Sequence, residues 1–328
     1  MTRKLILFVA LVALFIIWGC GEKAVESETD TSDSSGDSDS DHTNDSDSDS
    51  PDTSDTGDTS DGSDDSESDN IVDGPSNFGC EEPIEGGGTR SGYHTFFLDI
   101  CGDSYNVQTN PWGGATQTIT AGGENVFVVD SLEPPDYSFS EVVSYPSVYK
   151  GKNQGGDGTT NSGMPIQVSD IQSVETGFSH NGAEMYFYGN ATYDVYFTNS
   201  STYNSGQPDR YLMVWLYTLQ LNPITDQGYS CGGEDPKYTS ACSGAGSLEI
   251  GGVEFYRFVG TNGSRPVISY LPVDYLPTFE FDLNEFIQDA VAQEFLTDDM
   301  YLQSIQAGFE LIRDADGATA YGFYADVQ

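Results

Sequence analysis

The chain has 328 residues, with 53 acidic residues against 11 Lys or Arg, so that its formal net charge is −42. A protein this acidic repels nucleic acid and anionic lipid headgroups, which argues against both as partners of its folded part. A neutral polymer such as a polysaccharide meets no repulsion of this kind. We therefore expect no nucleic-acid partner.

The first twenty residues have the pattern of a bacterial lipoprotein signal. A positive n-region precedes an apolar run over residues 5–18, which is too short for a comfortable membrane span. The run ends at Gly19-Cys20, which predicts a signal peptide over residues 1–19 and lipidation of Cys20; a short uncleaved anchor is the alternative. Acyl chains on Cys20, the only expected membrane contact, would hold the protein on the outer membrane or cell surface, with its domain facing the exterior.

Residues 20–77 follow as an acidic linker rich in Ser, Asp and Thr. The segment contains almost no aliphatic or aromatic side chains, so burial cannot offset the loss of chain entropy on folding. Repulsion between its carboxylates favours extended conformations. We therefore expect a disordered, solvated spacer between the membrane and the domain.

Residues 78–328 have the composition of an all-β domain. Tyr, Phe, Val, Thr and Gly dominate and turn signals recur at short intervals, which is typical of a sandwich or jelly roll. One helix is predicted where apolar residues from Leu283 to Phe295 share a face and Asp282 with Glu285 forms a capping box. The predicted strands lie at residues 125–129, 184–188, 193–198, 211–219, 253–259, 266–270, 300–309 and 318–327.

The cysteines suit an exported protein. With Cys20 lipidated, Cys80, Cys101, Cys231 and Cys242 remain, an even number that can form two disulfides in any of three connectivities. We prefer the pairing of sequence neighbours, Cys80 with Cys101 and Cys231 with Cys242. A zinc site is the alternative, although the spacings do not resemble C-x₂-C ligation. No other pattern indicates a metal or an organic cofactor, so we expect neither.

Three predicted strands carry polar or aromatic residues on one face. Alternation puts Tyr211, Met213 and Trp215 on one side of their strand and aliphatic residues on the other, so the aromatic side is expected to be concave or exposed. The same alternation places Asp194 and Glu310 on the polar faces of two further strands. Aromatic rings suit the C–H faces of sugars, and carboxylates suit sugar hydroxyls or glycosidic chemistry. The three strands therefore predict a groove for a polysaccharide.

Several motifs follow one another in a diagnostic order: Asn110-Pro111-Trp112-Gly113, Tyr145-Pro146-Ser147-Val148-Tyr149, Tyr193-Asp194-Val195, Leu212-Met213-Val214-Trp215, Gly260-Thr261-Asn262-Gly263-Ser264 and the run over residues 301–310. On these motifs the chain resembles glycoside hydrolase family 12 over residues 105–327. The resemblance implies a two-sheet β-jelly-roll sandwich with a concave substrate cleft and one packed helix. It also implies endo-hydrolysis, mostly with retention, of β-1,4-glucans such as cellulose, xyloglucan or mixed-linkage glucan. We expect a monomer.

The resemblance implies roles for individual residues. Glu310 matches the general acid/base, and Asp194 matches an aspartate that hydrogen-bonds the nucleophile. The nucleophile, a Glu directly before the apolar-Met-apolar-Trp run, should stand at position 211, where this chain has Tyr211. A neutral phenol with a pKa near 10 cannot replace the attacking carboxylate in the usual covalent step.

Further residues match the lining of the cleft. Trp112, in a motif that begins with Asn110, matches a platform on which a sugar stacks. Met213 and Trp215 match residues beside the nucleophile. We therefore expect Asn110, Trp112, Met213 and Trp215 to bind substrate. Asn190, the first residue of an Asn-Ala-Thr sequon, is interpreted as an ordinary turn residue.

Three interpretations of Tyr211 stay open. The domain could hydrolyse glucan by another route, with Tyr211 as a nucleophile activated by Asp209 or Asp194, or with one aspartate as the base of an inverting reaction and Glu310 as the acid. It could instead be a non-catalytic glucan-binding lipoprotein, in which Tyr211 adds a stacking surface. It could also be a purely structural sandwich for protein contacts.

Overall fold

The computed structural model describes residues 76–137, 140–154, 158–202, 206–226 and 247–328. The predicted signal peptide, Cys20, the linker before residue 76, and Cys231 and Cys242 lie outside these ranges. Within the described ranges, no helix combines the length and the apolarity needed to cross a membrane.

The regular secondary structure of the described residues is mostly β-strand, with two short α-helices. The helices are α1 (Gly182–Met185) and α2 (Leu283–Ala292). The strands are β1 (Ile84–Ser91), β2 (Thr95–Ile100), β3 (Asp103–Gln108), β4 (Thr116–Gly123), β5 (Asn125–Glu133), β6 (Ser147–Gly151), β7 (Ile166–Gln167), β8 (Val174–His180), β9 (Tyr188–Thr198), β10 (Arg210–Leu219), β11 (Ser247–Ile250), β12 (Val253–Asn262), β13 (Arg265–Pro272), β14 (Thr278–Asp282), β15 (Tyr301–Arg313) and β16 (Thr319–Val327).

Two sheets share strand β1 and form the predicted sandwich. One sheet has the strand order β11-β12-β13-β10-β9-β15-β6-β3-β2-β1, and the other continues as β1-β4-β5-β16-β8-β14. Neighbouring strands are antiparallel apart from the parallel pair β10 and β13. The larger sheet carries the polar and aromatic face predicted from the sequence, and the jelly-roll expectation is confirmed.

Strand β10 divides its side chains between two clusters. Leu212, Val214 and Leu216 are buried in the main core between the sheets. Tyr211 and Trp215 belong to a second, smaller cluster on the opposite face of β10. Full burial of each aliphatic side chain contributes about 1.5–3 kcal/mol, so the register of β10 is strongly specified. The predicted division of this strand is confirmed.

Helix α2 begins where the sequence predicts it. The side chain of Asp282 accepts a hydrogen bond from the backbone N–H of Asn284, which satisfies one free donor of the first turn. The predicted capping box also requires the Glu285 carboxylate to accept from the backbone N–H of Asp282. This part of the prediction is wrong, because the carboxylate accepts from the N–H of Gly251 instead. The helix also ends at Ala292 rather than at Phe295.

The predicted strand over residues 184–188 is wrong. The backbone oxygen of Asn181 accepts hydrogen bonds from the N–H groups of Glu184 and Met185, which closes the single turn α1. Tyr186 then adopts a left-handed conformation with φ 52°, and extended structure resumes only at Tyr188. These local hydrogen bonds override the alternating pattern of the segment.

A disulfide joins Cys80 and Cys101, as preferred from the sequence. Cys80 precedes β1, and Cys101 lies in the turn between β2 and β3. The bond closes a loop with a sequence separation of 21 residues, which stabilises the fold by about 3 kcal/mol in the chain-entropy account. It thereby fixes the start of the strand that the two sheets share.

Candidate active site

Strands β10, β9 and β15 lie side by side and present one face of the larger sheet. Residues opposite each other on neighbouring strands share a face, so the pairing gives the layout of this surface. Asp194 of β9 stands opposite Gln306 of β15 and Met213 of β10. Toward one end of β9, Asn190 stands opposite Glu310. The three strands therefore bring Asp194 and Glu310 to one surface, as the sequence predicts.

Glu310 is held by Asn190 and has an unusual pKa. Asn190 Nδ2 donates to Oε2 of Glu310 at 2.5 Å, and Asn190 Oδ1 accepts from the backbone N–H of Glu310 at 3.1 Å. Burial raises the pKa of Glu310 to about 7, although the hydrogen bond from Asn190 acts in the opposite direction. A carboxyl group with this pKa can hold and release a proton near neutral pH.

Asn190 was interpreted wrongly from the sequence. It lies within β9 and is fully buried, rather than in a turn. The signal that could have revealed it is its spacing of four residues from Asp194. That spacing puts both side chains on one face of a strand.

Asp194 is the second carboxyl group of this surface. Burial and the nearby charge of Glu310 raise its pKa well above the usual range, while a hydrogen bond with the side chain of Tyr196 lowers it. Its Oδ1 atom is buried and has no hydrogen-bond partner among the described residues. A buried carboxylate oxygen without a partner is costly, so this atom is suited to receive a polar group of a ligand or a water molecule.

Tyr145 was not singled out as a site residue from the sequence. Its side chain is buried, and its hydroxyl has no hydrogen-bond partner in the described part of the chain. Burial and the charges of Asp194 and Glu310 raise the pKa of its phenol, so the hydroxyl stays protonated beside both carboxyl groups. The residue precedes Pro146, whose carbonyl oxygen accepts from the N–H of Phe309. This contact fixes the loop against β15.

Tyr211 occupies the position at which the resemblance implies a nucleophile. Its side chain is only 7% exposed and packs edge-on against Tyr196, with ring centroids 5.3 Å apart. Its hydroxyl donates to Oε1 of Gln207. A neutral amide does not withdraw the phenol proton as a carboxylate would, so these contacts do not activate the oxygen.

Asp209 lies two residues upstream and has other partners. Its carboxylate accepts a hydrogen bond from the N–H of Asn199 at 2.8 Å and forms an ion pair with Arg265 at 3.3 Å. This carboxylate thus links the end of β9, through Asn199, to β13, through Arg265. These contacts do not include the Tyr211 hydroxyl, which the sequence-based hypothesis requires for activation by Asp209.

Trp112 and Asn110 lie on a loop beside the Glu310 strand. The N–H of Trp112 donates to the carbonyl of Val143, and the N–H of Val143 donates to the carbonyl of Leu311, directly after Glu310. The Trp112 ring is 40% exposed. Asn110 has φ 44°, and its carbonyl accepts from the N–H of Tyr145. The loop therefore presents an aromatic ring at the edge of the acidic site.

The remaining floor of the surface is polar and aromatic. Met213 and Trp215 are buried in the second cluster, and the indole N–H of Trp215 has no partner among the described residues. Gln108 donates to Oε1 of Gln306 at 3.1 Å. Phe97, which sequence reasoning missed, is 62% exposed on β2. The surface thus offers hydrogen-bonding groups and rings over several strands, as an extended sugar polymer requires.

The arrangement supports acid–base chemistry on a polymer. Two carboxyl groups with raised pKa values lie on one surface, and their charges help to keep the Tyr145 phenol protonated. Among the described residues, no group of three or more His, Cys, Asp or Glu side chains is placed to hold a metal ion.

Comparisons with known proteins point to one family. The sequence model of "Glycosyl hydrolase family 12" matches residues 103–328, a range that includes Asp194, Tyr211 and Glu310. A xyloglucan-specific endo-beta-1,4-glucanase A of Emericella nidulans is 28% identical over 159 residues, which cover 48% of this chain and 60% of that protein. The match thus covers less than two thirds of the fungal relative.

Two further relatives are matched over nearly their whole length. The probable cellulase Cel12b of Mycobacterium tuberculosis is 25% identical over 165 residues, which cover 50% of this chain and 97% of that protein. The solved structure of the endoglucanase Cel12A from Rhodothermus marinus superposes with a TM-score of 0.61 and 26% identity, covering 73% of this chain and 98% of that one.

Proposed function

Because the chain belongs to glycosyl hydrolase family 12, we propose that its domain hydrolyses internal β-1,4 bonds of a neutral β-glucan such as cellulose, xyloglucan or mixed-linkage glucan. The relatives named as endoglucanases and cellulases support this assignment. The strongly acidic chain is compatible with a neutral polymer and not with an anionic one.

The observation that carries the proposal is the environment of Glu310. A general acid must hold its proton at the working pH and give it to the leaving glycosidic oxygen. Burial raises the pKa of Glu310 to about 7, and Asn190 fixes the orientation of the carboxyl group. Glu310 therefore acts as the general acid, and the neighbouring Trp112 ring positions the sugar chain.

Asp194 supplies the second carboxyl group in the proposed reaction. It lies four residues from Asn190 on β9, about 13 Å along the strand between Cα atoms, and both side chains reach over the same face. The proposed reaction is an inverting one, in which the two carboxyl groups stand about 6.5–9.5 Å apart and leave room for a water molecule. With Asp194 ionised and Glu310 protonated, Asp194 accepts a proton from water, the water oxygen bonds the anomeric carbon as the glycosidic C–O bond breaks, and the leaving oxygen takes the proton of Glu310.

The experiment compares the purified protein with its Glu310→Gln variant on cellulose, xyloglucan and mixed-linkage β-glucan. We expect the protein to release reducing ends from at least one polymer, and the variant to lose about 10²–10⁴-fold in rate. The variant should still bind that polymer in affinity electrophoresis. Equal rates for the two proteins would contradict the assignment of Glu310.

A second candidate function is glucan binding without cleavage. The burial of Tyr211 in an aromatic cluster, where the resemblance implies an attacking carboxylate, is the observation that favours it. This function predicts binding with no reducing ends from any glucan. A purely structural role fails if Trp112→Ala weakens glucan binding while the melting temperature stays unchanged.

The cellular setting is also a proposal. Lipidation of Cys20 would tether the domain through the Ser/Asp/Thr-rich linker to the outer membrane or cell surface, where polymers too large to enter the cell are accessible. Metabolic labelling with a fatty acid should mark the chain and not its Cys20→Ser variant. Labelling of both would overturn the tether. The domain is proposed to act as a monomer. Sedimentation should therefore show one species with the mass of a single chain.

A further inference from the structure

Exposed aromatic side chains lie near Glu310, beyond the two carboxyl groups of the candidate active site. Beyond Trp112, which is 40% exposed, Tyr137 is 59% exposed and Tyr188 is partly exposed. We call Tyr137, Tyr188 and Arg313 the aromatic rim.

Arg313 organises the centre of the aromatic rim. Its guanidinium carbon lies 4.0 Å from the centroid of the Tyr188 ring, and its Nη1 donates to the carbonyl of Tyr137 at 3.1 Å. The charge is partly balanced by Asp314, whose carboxylate lies 3.7 Å from Nε. A guanidinium has five N–H donors, so the Nη2 group keeps donor capacity beyond these contacts.

The aromatic rim is continuous with the loop that carries Trp112. Pro135, two residues before Tyr137, lies next to Gly114, two residues after Trp112. The register of β15 places Arg313 opposite Tyr188 of β9, just beyond the pair of Glu310 and Asn190. These contacts place the aromatic rim beside the Trp112 loop and next to the pair of Glu310 and Asn190.

The position of the aromatic rim along strand β9 decides which part of a bound polymer can reach it. Tyr188 and Asn190 are two residues apart on β9, about 7 Å along the strand and on the same face. A glycosidic oxygen that takes the proton of Glu310 lies near Asn190, because Asn190 stands opposite Glu310 on the neighbouring strand. The main chain of the glucan is therefore expected to cross β9 near Asn190. Groups that project from the main chain along the strand direction can then reach Tyr188.

From this placement we infer that the aromatic rim binds pyranose rings that branch from a substituted β-glucan. Aromatic faces bind the C–H faces of such rings, and the Arg313 guanidinium can donate to their hydroxyls. The inference rests on the proposed function for the position of the main chain. It adds a preference for branched polymers that Glu310 and Asp194 do not supply.

The test measures binding, so it does not require turnover. Arg313→Ala and Tyr188→Ala are each combined with Glu310→Gln, and affinity electrophoresis compares xyloglucan, which is branched, with mixed-linkage β-glucan, which is not. Arg90→Ala in the same background is the control, because Arg90 is an exposed residue of β1 outside the aromatic rim. Melting temperatures establish that each variant folds.

We expect each rim variant to lose about tenfold more affinity for the branched polymer than for the unbranched one, which corresponds to about 1.4 kcal/mol. Arg90→Ala should change neither. Equal losses on both polymers would show that the rim contacts the main chain or nothing specific, and would overturn the inference, as would no loss at all. A selective loss in a protein that releases no reducing ends would uphold the rim and refute the proposed hydrolysis.

Discussion

The side-chain amide of Asn190 makes two hydrogen bonds with Glu310. Its Nδ2 donates to the carboxylate at 2.5 Å, and its Oδ1 accepts from the backbone N–H of Glu310 at 3.1 Å. The carboxyl group therefore cannot rotate away from the surface without breaking this contact. The donor also limits how far burial raises the pKa, which remains near 7 instead of rising further. Asn190 thus fixes the position of the proposed acid and moderates the rise in pKa that burial causes.

The first prediction concerns the pH dependence of hydrolysis. Glu310 must be protonated to act as the acid, and its pKa is about 7. The rate should therefore fall about tenfold per pH unit above pH 7. Reducing-end assays from pH 4 to pH 10 measure this limb. An alkaline limb centred below pH 5 would mean that another group donates the proton.

The second prediction concerns Asn190→Ala. The hydrogen bond from Asn190 lowers the pKa of Glu310, so its loss should move the alkaline limb to higher pH while the maximal rate falls. Asn284→Ala, on helix α2 and away from the carboxyl groups, is the matched control and should leave the limb in place. A limb that moves to lower pH in Asn190→Ala would contradict the assigned contact.

The third prediction concerns stability. The pKa of Glu310 is raised in the fold, so the contribution of this group is fully present below its unfolded pKa of about 4.5 and is lost as pH rises through about 7. Glu310→Gln removes this dependence and should be more stable than the parent at pH 8 by about 2–3 kcal/mol. Near pH 4 the two should match.

Urea unfolding at both pH values measures this difference. Glu85→Gln, an exposed residue on β1, controls for the general effect of removing one negative charge. If Glu310→Gln is less stable than the parent at pH 8, the fold does not disfavour the ionised carboxyl group, and its pKa is not raised as stated.

The fourth prediction separates Asp194 from Tyr211. The Tyr211 hydroxyl contacts Gln207 and its ring is 7% exposed, so Tyr211→Phe should retain the rate within about threefold, provided that it melts like the parent. Asp194→Asn removes the proposed base and should reduce the rate by about 10²–10⁴-fold. The reverse pattern would identify the phenol as the reacting group and refute the role of Asp194.

The alternation of β10 allowed the sequence to predict the core and the site face correctly, since Leu212 and Tyr211 differ so clearly in character. Asp194 and Glu310 were predicted to share a surface for the same reason. The short helix α1 was missed because its cause is the backbone oxygen of Asn181, and main-chain hydrogen bonds leave no alternating pattern.

The contacts around the acid were beyond sequence reasoning because they join distant segments. Asn190 and Glu310 are 120 residues apart, and Tyr145, whose pKa is raised by the charges of both carboxyl groups, lies on a loop between other strands. The hypothesis that Asp209 activates Tyr211 rested on their alternation along one strand. Alternation does not include the cation of Arg265 on a neighbouring strand, which holds Asp209 at the edge.

The account depends most on the claim that Glu310 and Asp194 act as a pair without a carboxylate at position 211. The configuration of the first product tests it directly, because water activated by Asp194 attacks once and inverts the anomeric carbon, whereas a covalent intermediate gives retention. Proton NMR during the first minutes of hydrolysis should show the α-anomer of the new reducing end, which later mutarotates. If the β-anomer appears first, the reaction proceeds through a covalent step and the account is wrong.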